Sequence, residues 1–271
     1  MTFCLSAGCA TVYNPATERE ETVLDPAIES ALGSVAKAQM GLASLKVGRV
    51  TGEQMARVQA IGARIARSSD PLAFPVQFGV IQDKTLNAFT LPGGTIYVHT
   101  GILDKASDDE LAAVIAHEMG HVAARHVAKH LQADLGFTVL VNIAAAAGVG
   151  PESARLADSL YGLFSRGFSR RDELEADRLA VRYSSRAGVD PEGLVSFFEK
   201  IQREEQERPM GRVPVWQSTH PLTGDRIKQA KEEIEKLKGR RFCPVCGREY
   251  PGQVRFCERD GTPLKEKRGV R

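Results

Sequence analysis

The chain has 271 residues, with 36 Lys and Arg against 34 Asp and Glu, and this near-neutral balance excludes a global nucleic-acid-binding character. That length holds one core of about 200 residues plus a small appendage, and no internal repeat or low-complexity tract divides it otherwise. The charge is uneven: from Asp225 to Arg271 there are 14 basic and 8 acidic residues, so the C-terminal end is the basic end.

The chain opens MTFCLSAGCA, and Leu5-Ser6-Ala7-Gly8-Cys9 looks like the lipobox that closes a bacterial lipoprotein signal peptide. The charged segment that opens such a signal is missing, the apolar stretch is short, and Ser6 stands where the motif usually carries Leu. The expectation is an upstream start, acylation of Cys9, and a signal remnant or linker over residues 1–24. The plain alternative is a frayed terminus with two incidental cysteines. From Asp25 to about Ser69, Ile28, Leu32 and Val35, then Met55, Val58, Ile61 and Ile65, fall at helical spacing and predict two or three helices with core-facing stripes. From Pro75 the period changes. VQFGVIQ and TIYVHT read as strands, with Asn87-Ala88-Phe89 leading into a turn at Pro92-Gly93-Gly94, so a small antiparallel sheet is expected. His99, in the second strand, is expected to pack or face water.

Ser107-Asp108-Asp109-Glu110 is a capping box that starts the next helix, which is expected to run buried to about Leu131. It carries His117-Glu118-Met119-Gly120-His121. Four residues apart on a helix, His117 and His121 share one face and can converge on one ion, with Glu118 about 100° round the axis. Zinc lowers the pKa of a bound water from about 16 to about 7, and a carboxylate beside it can take the proton, which is metalloprotease chemistry. Gly120, costly inside a helix by about 1 kcal/mol, suggests a close backbone approach, with plain tolerance of the glycine as the bland alternative. His126 and His130 follow roughly 2.5 turns later, which places them on the opposite side of an unbroken helix, in a structural role.

Leu135 to Gly150 is apolar apart from Thr138 and Asn142, yet shorter than the ~20 residues that span a bilayer. A buried hairpin is favoured there over a flap touching a membrane. Ser169 to Asp177 then starts a second helix, ending near Gly188, on which Glu173 and Asp177 lie four apart. A zinc site of this kind needs a third protein ligand. Glu173 fits that place, and Asp177 can accept the outer N–H of a bound imidazole. Asp190-Pro191 caps a further helix through Phe197 and Ile201, which gives way near Pro209 to a loop with Trp216 and Ser218-Thr219-His220-Pro221.

These motifs, in this order with Arg226, resemble the M48 family of zinc metallopeptidases over roughly Asn87 to Ile227. The resemblance implies Glu173 as third ligand, Asp177 behind the ligands and His220 near the reacting carbonyl, in a branch that looks like the soluble lipoprotein type. The tail departs from that family. Cys243-Pro244-Val245-Cys246 and Cys257-Glu258-Arg259-Asp260 resemble a small zinc ribbon in which Asp260 replaces the fourth cysteine. The expectation is an α+β, zincin-like fold, mainly helical, with a metallopeptidase domain over residues 25–239 and a ribbon-like tail over 240–271. Its cofactors would be one catalytic and one structural Zn2+. Its function would be cleavage of unfolded or misfolded envelope polypeptides, with Glu118 and His220 catalytic, from a periplasmic site tethered to the membrane, the outer membrane for preference, through a lipid on Cys9. The rival readings are a chaperone-like binder with little proteolysis and, suggested by the basic tail alone, a nucleic-acid-linked protein, although no nucleic-acid partner is expected.

Overall fold

The computed structural model describes residues 9–42, 50–72, 74–150, 152–206, 216, 219–221, 224–237, 241–250 and 254–266. Leu5 to Gly8 of the lipobox, Ser218 and Gly239 lie outside the described residues. Within the stretch expected as remnant or linker, Cys9–Asn14 (β1) and Arg19–Leu24 (β2) form an antiparallel hairpin that pairs Cys9 with Leu24. Its turn is held by the Asn14 side chain, which accepts from Ala16 N at 2.9 Å and donates to Glu21 at 2.9 Å. Pro26–Gln39 (α1) starts behind the Asp25 cap, and Gly52–Ser68 (α2) behind a Thr51/Gln54 capping box.

The sheet consists of Gln77–Ile81 (β3), Ala88–Leu91 (β4) and Thr95–His99 (β5) in the order β3-β5-β4. It is mixed, not antiparallel: β4 and β5 form the expected hairpin, but β3 runs parallel to β5. The reason lies after β3, where residues 82–87 cross the end of β5. Thr100 Oγ1 donates to the Asp83 carbonyl at 2.9 Å, and His99 N donates to the Asn87 carbonyl at 2.9 Å. That crossing returns the chain on the far side of β5. His99 packs as expected, buried, with Thr85 Oγ1 2.8 Å from its Nδ1. At the hairpin turn Gly93 has φ +72°, and a Cβ there would stand 2.7 Å from Ser30 Cα, so the turn lies directly against α1.

After the short Thr100–Leu103 (α3), the Ser107/Glu110 capping box opens Asp108–Ala123 (α4), in which every residue from Glu110 to Ala123 is buried. The helix does not continue to Leu131. Arg125 takes a left-handed conformation, φ 56° and ψ 37°, and a new helix runs from His126 to Leu135 (α5). The cause is distant in sequence: the buried Arg125 guanidinium donates through Nε to Glu29 Oε2 at 2.7 Å and through Nη2 to the Leu24 carbonyl at 2.8 Å. Two hydrogen-bonded anchors offset the ~1–3 kcal/mol that such a backbone costs.

Phe137–Ala145 (α6), Glu152–Arg166 (α7), Arg170–Arg186 (α8), Glu192–Gln206 (α9) and Gly224–Leu237 (α10) complete the body. The Leu135 to Gly150 stretch is not a buried hairpin. Gly136 at φ +76° breaks it, and of α6 only Leu140 and Ile143 are buried. One core joins α2, α4, α8, α9 and α10 to the sheet, and a second joins α1, α5, α6 and α7 to β2 and β4. Among the described residues no helix is long and apolar enough to cross a membrane. The tail is a small sheet of Arg241–Phe242 (β6), Glu249–Tyr250 (β7) and Lys265–Glu266 (β8), ordered β7-β6-β8.

Candidate metal centre

The site begins where α4 and α8 touch at Gly120 and Ala176. A Cβ on Gly120 would stand 2.8 Å from the Ala176 carbonyl oxygen and 2.9 Å from its Cα, so a residue without a side chain lets the backbones meet. That approach brings Glu173 and Asp177 to the histidines on α4. His117 Nε2 and His121 Nε2 are 3.1 Å apart, and the two Glu173 oxygens lie 3.5 Å from one or the other. His220 joins them, its Nδ1 2.9 Å from Glu173 Oε1 and 3.3 Å from His117 Nε2. Donor atoms of all four residues fall within 4.8 Å of one another, and all four are buried.

Protonation follows from the partners behind the ring. Burial alone would raise the pKa of Asp177, but Arg226 and His117 hold it below the ordinary carboxylate value. As a carboxylate it can only accept, and it lies 2.9 Å from His117 Nδ1, so it favours the tautomer that keeps the proton there and turns Nε2, 3.1 Å from His121 Nε2, toward the cluster. Burial keeps the pKa of His121 well below its usual value, so that ring is neutral. Glu173 is likewise held well below the carboxylate range; burial opposes this, and Arg226 and His220 outweigh it. Imidazole nitrogens and a carboxylate thus converge in a closed, buried space. Two imidazoles and one carboxylate are a zinc donor set, and the residues fit that ion.

Glu118 is fully buried, and neither of its oxygens accepts a hydrogen bond of good geometry from the described residues. His220 Nε2 is 3.3 Å from Oε1. Burial pushes the Glu118 carboxyl above its ordinary value, partly offset by His220 and His117. An unsatisfied buried carboxylate is costly, which makes it a candidate for chemistry and not for stability.

Three features of the site were not legible as roles in the sequence. Arg226, on α10, binds Asp177 bidentately at 2.7 and 2.8 Å, reaches Glu173 Oε2 at 2.6 Å and donates to the His220 carbonyl at 3.2 Å. Burial disfavours its charge, yet Asp177 and Glu173 raise its pKa further. His126, expected on the far side of a continuous helix, is turned inward by the break at Arg125. Its Nδ1 lies 2.9 Å from His121 Nδ1 and its Nε2 3.3 Å from Glu175. Aromatic rings close the site: Phe168 stacks on His121 at 4.0 Å and Trp216 on His220 at 4.6 Å. Asn87 fixes this loop, accepting from Thr219 Oγ1 at 3.2 Å. His130, by contrast, is not part of the cluster. In the tail, the donor atoms of Cys243, Cys246, Cys257 and Asp260 also gather within 4.8 Å of one another.

Residues 53–234 match the sequence profile of Peptidase family M48. The chain is similar to a putative beta-barrel assembly-enhancing protease of Vibrio cholerae, 32% identical over 69% of this chain and 40% of that protein. It is also similar to the metalloprotease LoiP of Escherichia coli, 36% identical over 59% of this chain and 63% of that protein. A third relative is the mitochondrial metalloendopeptidase OMA1 of Schizosaccharomyces pombe, 36% identical over 62% of this chain and 49% of that protein. The matched region spans less than two thirds of the length of each, and the cysteine tail lies beyond the matched profile.

Proposed function

The chain belongs to peptidase family M48, and from that premise we propose that it is a zinc-dependent endopeptidase acting on unfolded or misfolded envelope proteins. The observation that carries this reading is the convergence of His117, His121 and Glu173 beside the fully buried carboxylate of Glu118. Those three residues would hold the ion, which when bound polarises a scissile carbonyl and brings the pKa of water to about 7. Glu118 takes the proton of the attacking water and returns it to the leaving amine as the C–N bond breaks. A carboxyl with a raised pKa suits both transfers near neutral pH. Asp177 fixes the tautomer and orientation of His117, and Arg226 keeps Asp177 and Glu173 ionised. The Nε2 of His220 donates to the oxygen on which negative charge develops, which requires it to turn from Glu118 toward the substrate. An extended substrate segment adds as a strand beside β4, the outermost strand on the α4 side of the sheet.

The envelope enters this reading through the name of one bacterial relative, the putative beta-barrel assembly-enhancing protease of Vibrio cholerae. Acylation of Cys9 would tether the protein to the periplasmic face of a membrane, and mass spectrometry of protein from its own host, expressed with upstream sequence, tests that. The complete burial of His117, Glu118 and His121 favours a second reading, a chaperone-like factor that seldom cuts, because Phe168 and Trp216 must move before a substrate reaches the metal. Casein separates the two. The peptidase cleaves it, loses the activity to a chelator and regains it with zinc; a chaperone-like protein suppresses aggregation of an unfolded protein and leaves casein whole.

A further inference from the structure

The C-terminal segment repeats one turn twice. Cys243 N donates to the Arg248 carbonyl at 2.9 Å and Gly247 N donates back to the Cys243 carbonyl at 2.9 Å. Fourteen residues on, Cys257 N donates to the Thr262 carbonyl at 2.8 Å and Gly261 N to the Cys257 carbonyl at 2.9 Å. Both glycines are left-handed, at φ +69° and +68°. In each turn the third residue after the cysteine points to the same centre: Cys246 in the first, Asp260 in the second. The backbone, and not the CxxC pattern alone, therefore makes Asp260 the counterpart of Cys246.

The spacing of the four groups matches a tetrahedral ion. Zinc–sulfur bonds of about 2.3 Å separate neighbouring donors by roughly 3.8 Å. The Sγ atoms of Cys246 and Cys257 are 3.5 Å apart, and Cys243 Sγ lies 3.6 and 3.7 Å from the two Asp260 oxygens. Among the described residues the segment has little apolar core of its own. Its strands are two residues each, and its buried cluster consists of Cys243, Tyr250, Cys257 and Leu264, so two of the four core residues are themselves ligands. A core that small does not order a chain without a crosslink or a metal. The segment nevertheless has a fixed seat: Glu249 pairs at 3.5 Å with Arg186 at the end of α8, and Arg186 in turn bonds Asp70 at 3.0 Å.

We propose that residues 241–250 and 254–266 form a module organised by one Zn2+ held by three thiolates and one carboxylate, from Cys243, Cys246, Cys257 and Asp260, separate from the catalytic centre. Thiolates select a borderline ion such as zinc over hard cations, and four protein ligands leave no open position, so the site is structural. It needs nothing from the peptidase reading.

Cobalt titration of the full chain under reducing conditions tests it, in a Cys4→Ser/Cys9→Ser background that removes the other thiols. A thiolate-to-cobalt charge-transfer band reports the tail alone, because the catalytic donors are nitrogen and oxygen. The band is expected to saturate by two cobalt ions per chain, one of them taken by the catalytic centre without contributing to it, and to disappear when zinc is added. Asp260→Cys is expected to keep the site and enlarge the band by about one third, from three thiolates to four. Cys257→Ser is expected to weaken cobalt binding and shrink the band. The absence of the band would overturn the proposal. A band unchanged in Asp260→Cys would remove Asp260 from the ligand set and overturn the four-ligand assignment. A single reactive thiol in the chelated, unreduced protein would mean that a disulfide, not a metal, closes the module.

Discussion

Replacing Gly120 by Ala probes whether the approach of α4 to α8 sets the metal site. The added methyl would lie 2.8 Å from the Ala176 carbonyl oxygen and 2.9 Å from its Cα, whereas ordinary contact begins at 3.4 Å. Both neighbours are backbone, so α8 must retreat by roughly half an ångström, and Glu173 and Asp177 retreat with it. That is the full tolerance of a preorganised site, about 0.5 Å. For stability, two effects compete: Ala gains about 1 kcal/mol over Gly inside a helix, and overpacking costs about 1–3 kcal/mol. The metal-free variant should therefore lose at most about 2 kcal/mol, a Tm decrease of a few degrees in a chain of this size. Zinc affinity should fall more visibly, by about 10- to 100-fold, the range seen when the groups that orient metal ligands are disturbed. Thermal unfolding of the metal-free protein and a zinc titration against a competing chelator measure the two effects. A Gly120→Ala protein that gains stability from helix propensity and binds zinc like the parent would refute the reasoning.

Glu173→Ala should lose zinc outright while Asp177→Ala only weakens it about 10- to 100-fold, which metal analysis of the purified variants checks. Arg226→Leu strips the guanidinium from two carboxylates that are 0% and 1% exposed, and breaking such a buried pair costs about 3–5 kcal/mol. The expected result by calorimetry is a Tm lower by roughly 6–20 °C, and an unchanged Tm would mean that Asp177 and Glu173 are stabilised by something else. His220→Ala should lower kcat more than it changes KM if its Nε2 meets developing charge, and steady-state kinetics with a wild-type kcat would leave His220 a structural role only.

What could be seen in the residues alone was local and periodic. The Ser107/Glu110 box, the i, i+4 spacing of His117 and His121, and that of Glu173 and Asp177 each carry their geometry within one helix, and each appears in the fold as spaced. Gly120 was informative because a glycine between the two histidines has a cost that a close tertiary contact offsets, and the contact with Ala176 is there. The end of α4 was not legible. Nothing in the sequence near Arg125 announces a left-handed residue; the cause is Glu29 and the Leu24 carbonyl, about a hundred positions earlier, and without them His126 falls on the wrong side. The parallel pairing of β3 was hidden for a related reason: alternation names the faces of a strand but not its partner, and the crossing at Asp83 and Thr100 decides it. Arg226 stood in the recognised motif without a role, because a single arginine near a helix start is ordinarily solvated. Only the packing of α10 on α8 buries it against two carboxylates.

The central claim is that Glu118 moves protons at a metal it does not hold. Glu118→Gln keeps the size and burial of the side chain but can neither accept nor return a proton. The measurement is casein cleavage by the zinc-loaded Glu118→Gln protein beside its metal content. Full zinc occupancy is expected, with hydrolysis reduced by about 10²- to 10⁴-fold, the usual contribution of a positioned general base. Cleavage at the parent rate by the zinc-loaded variant would contradict it.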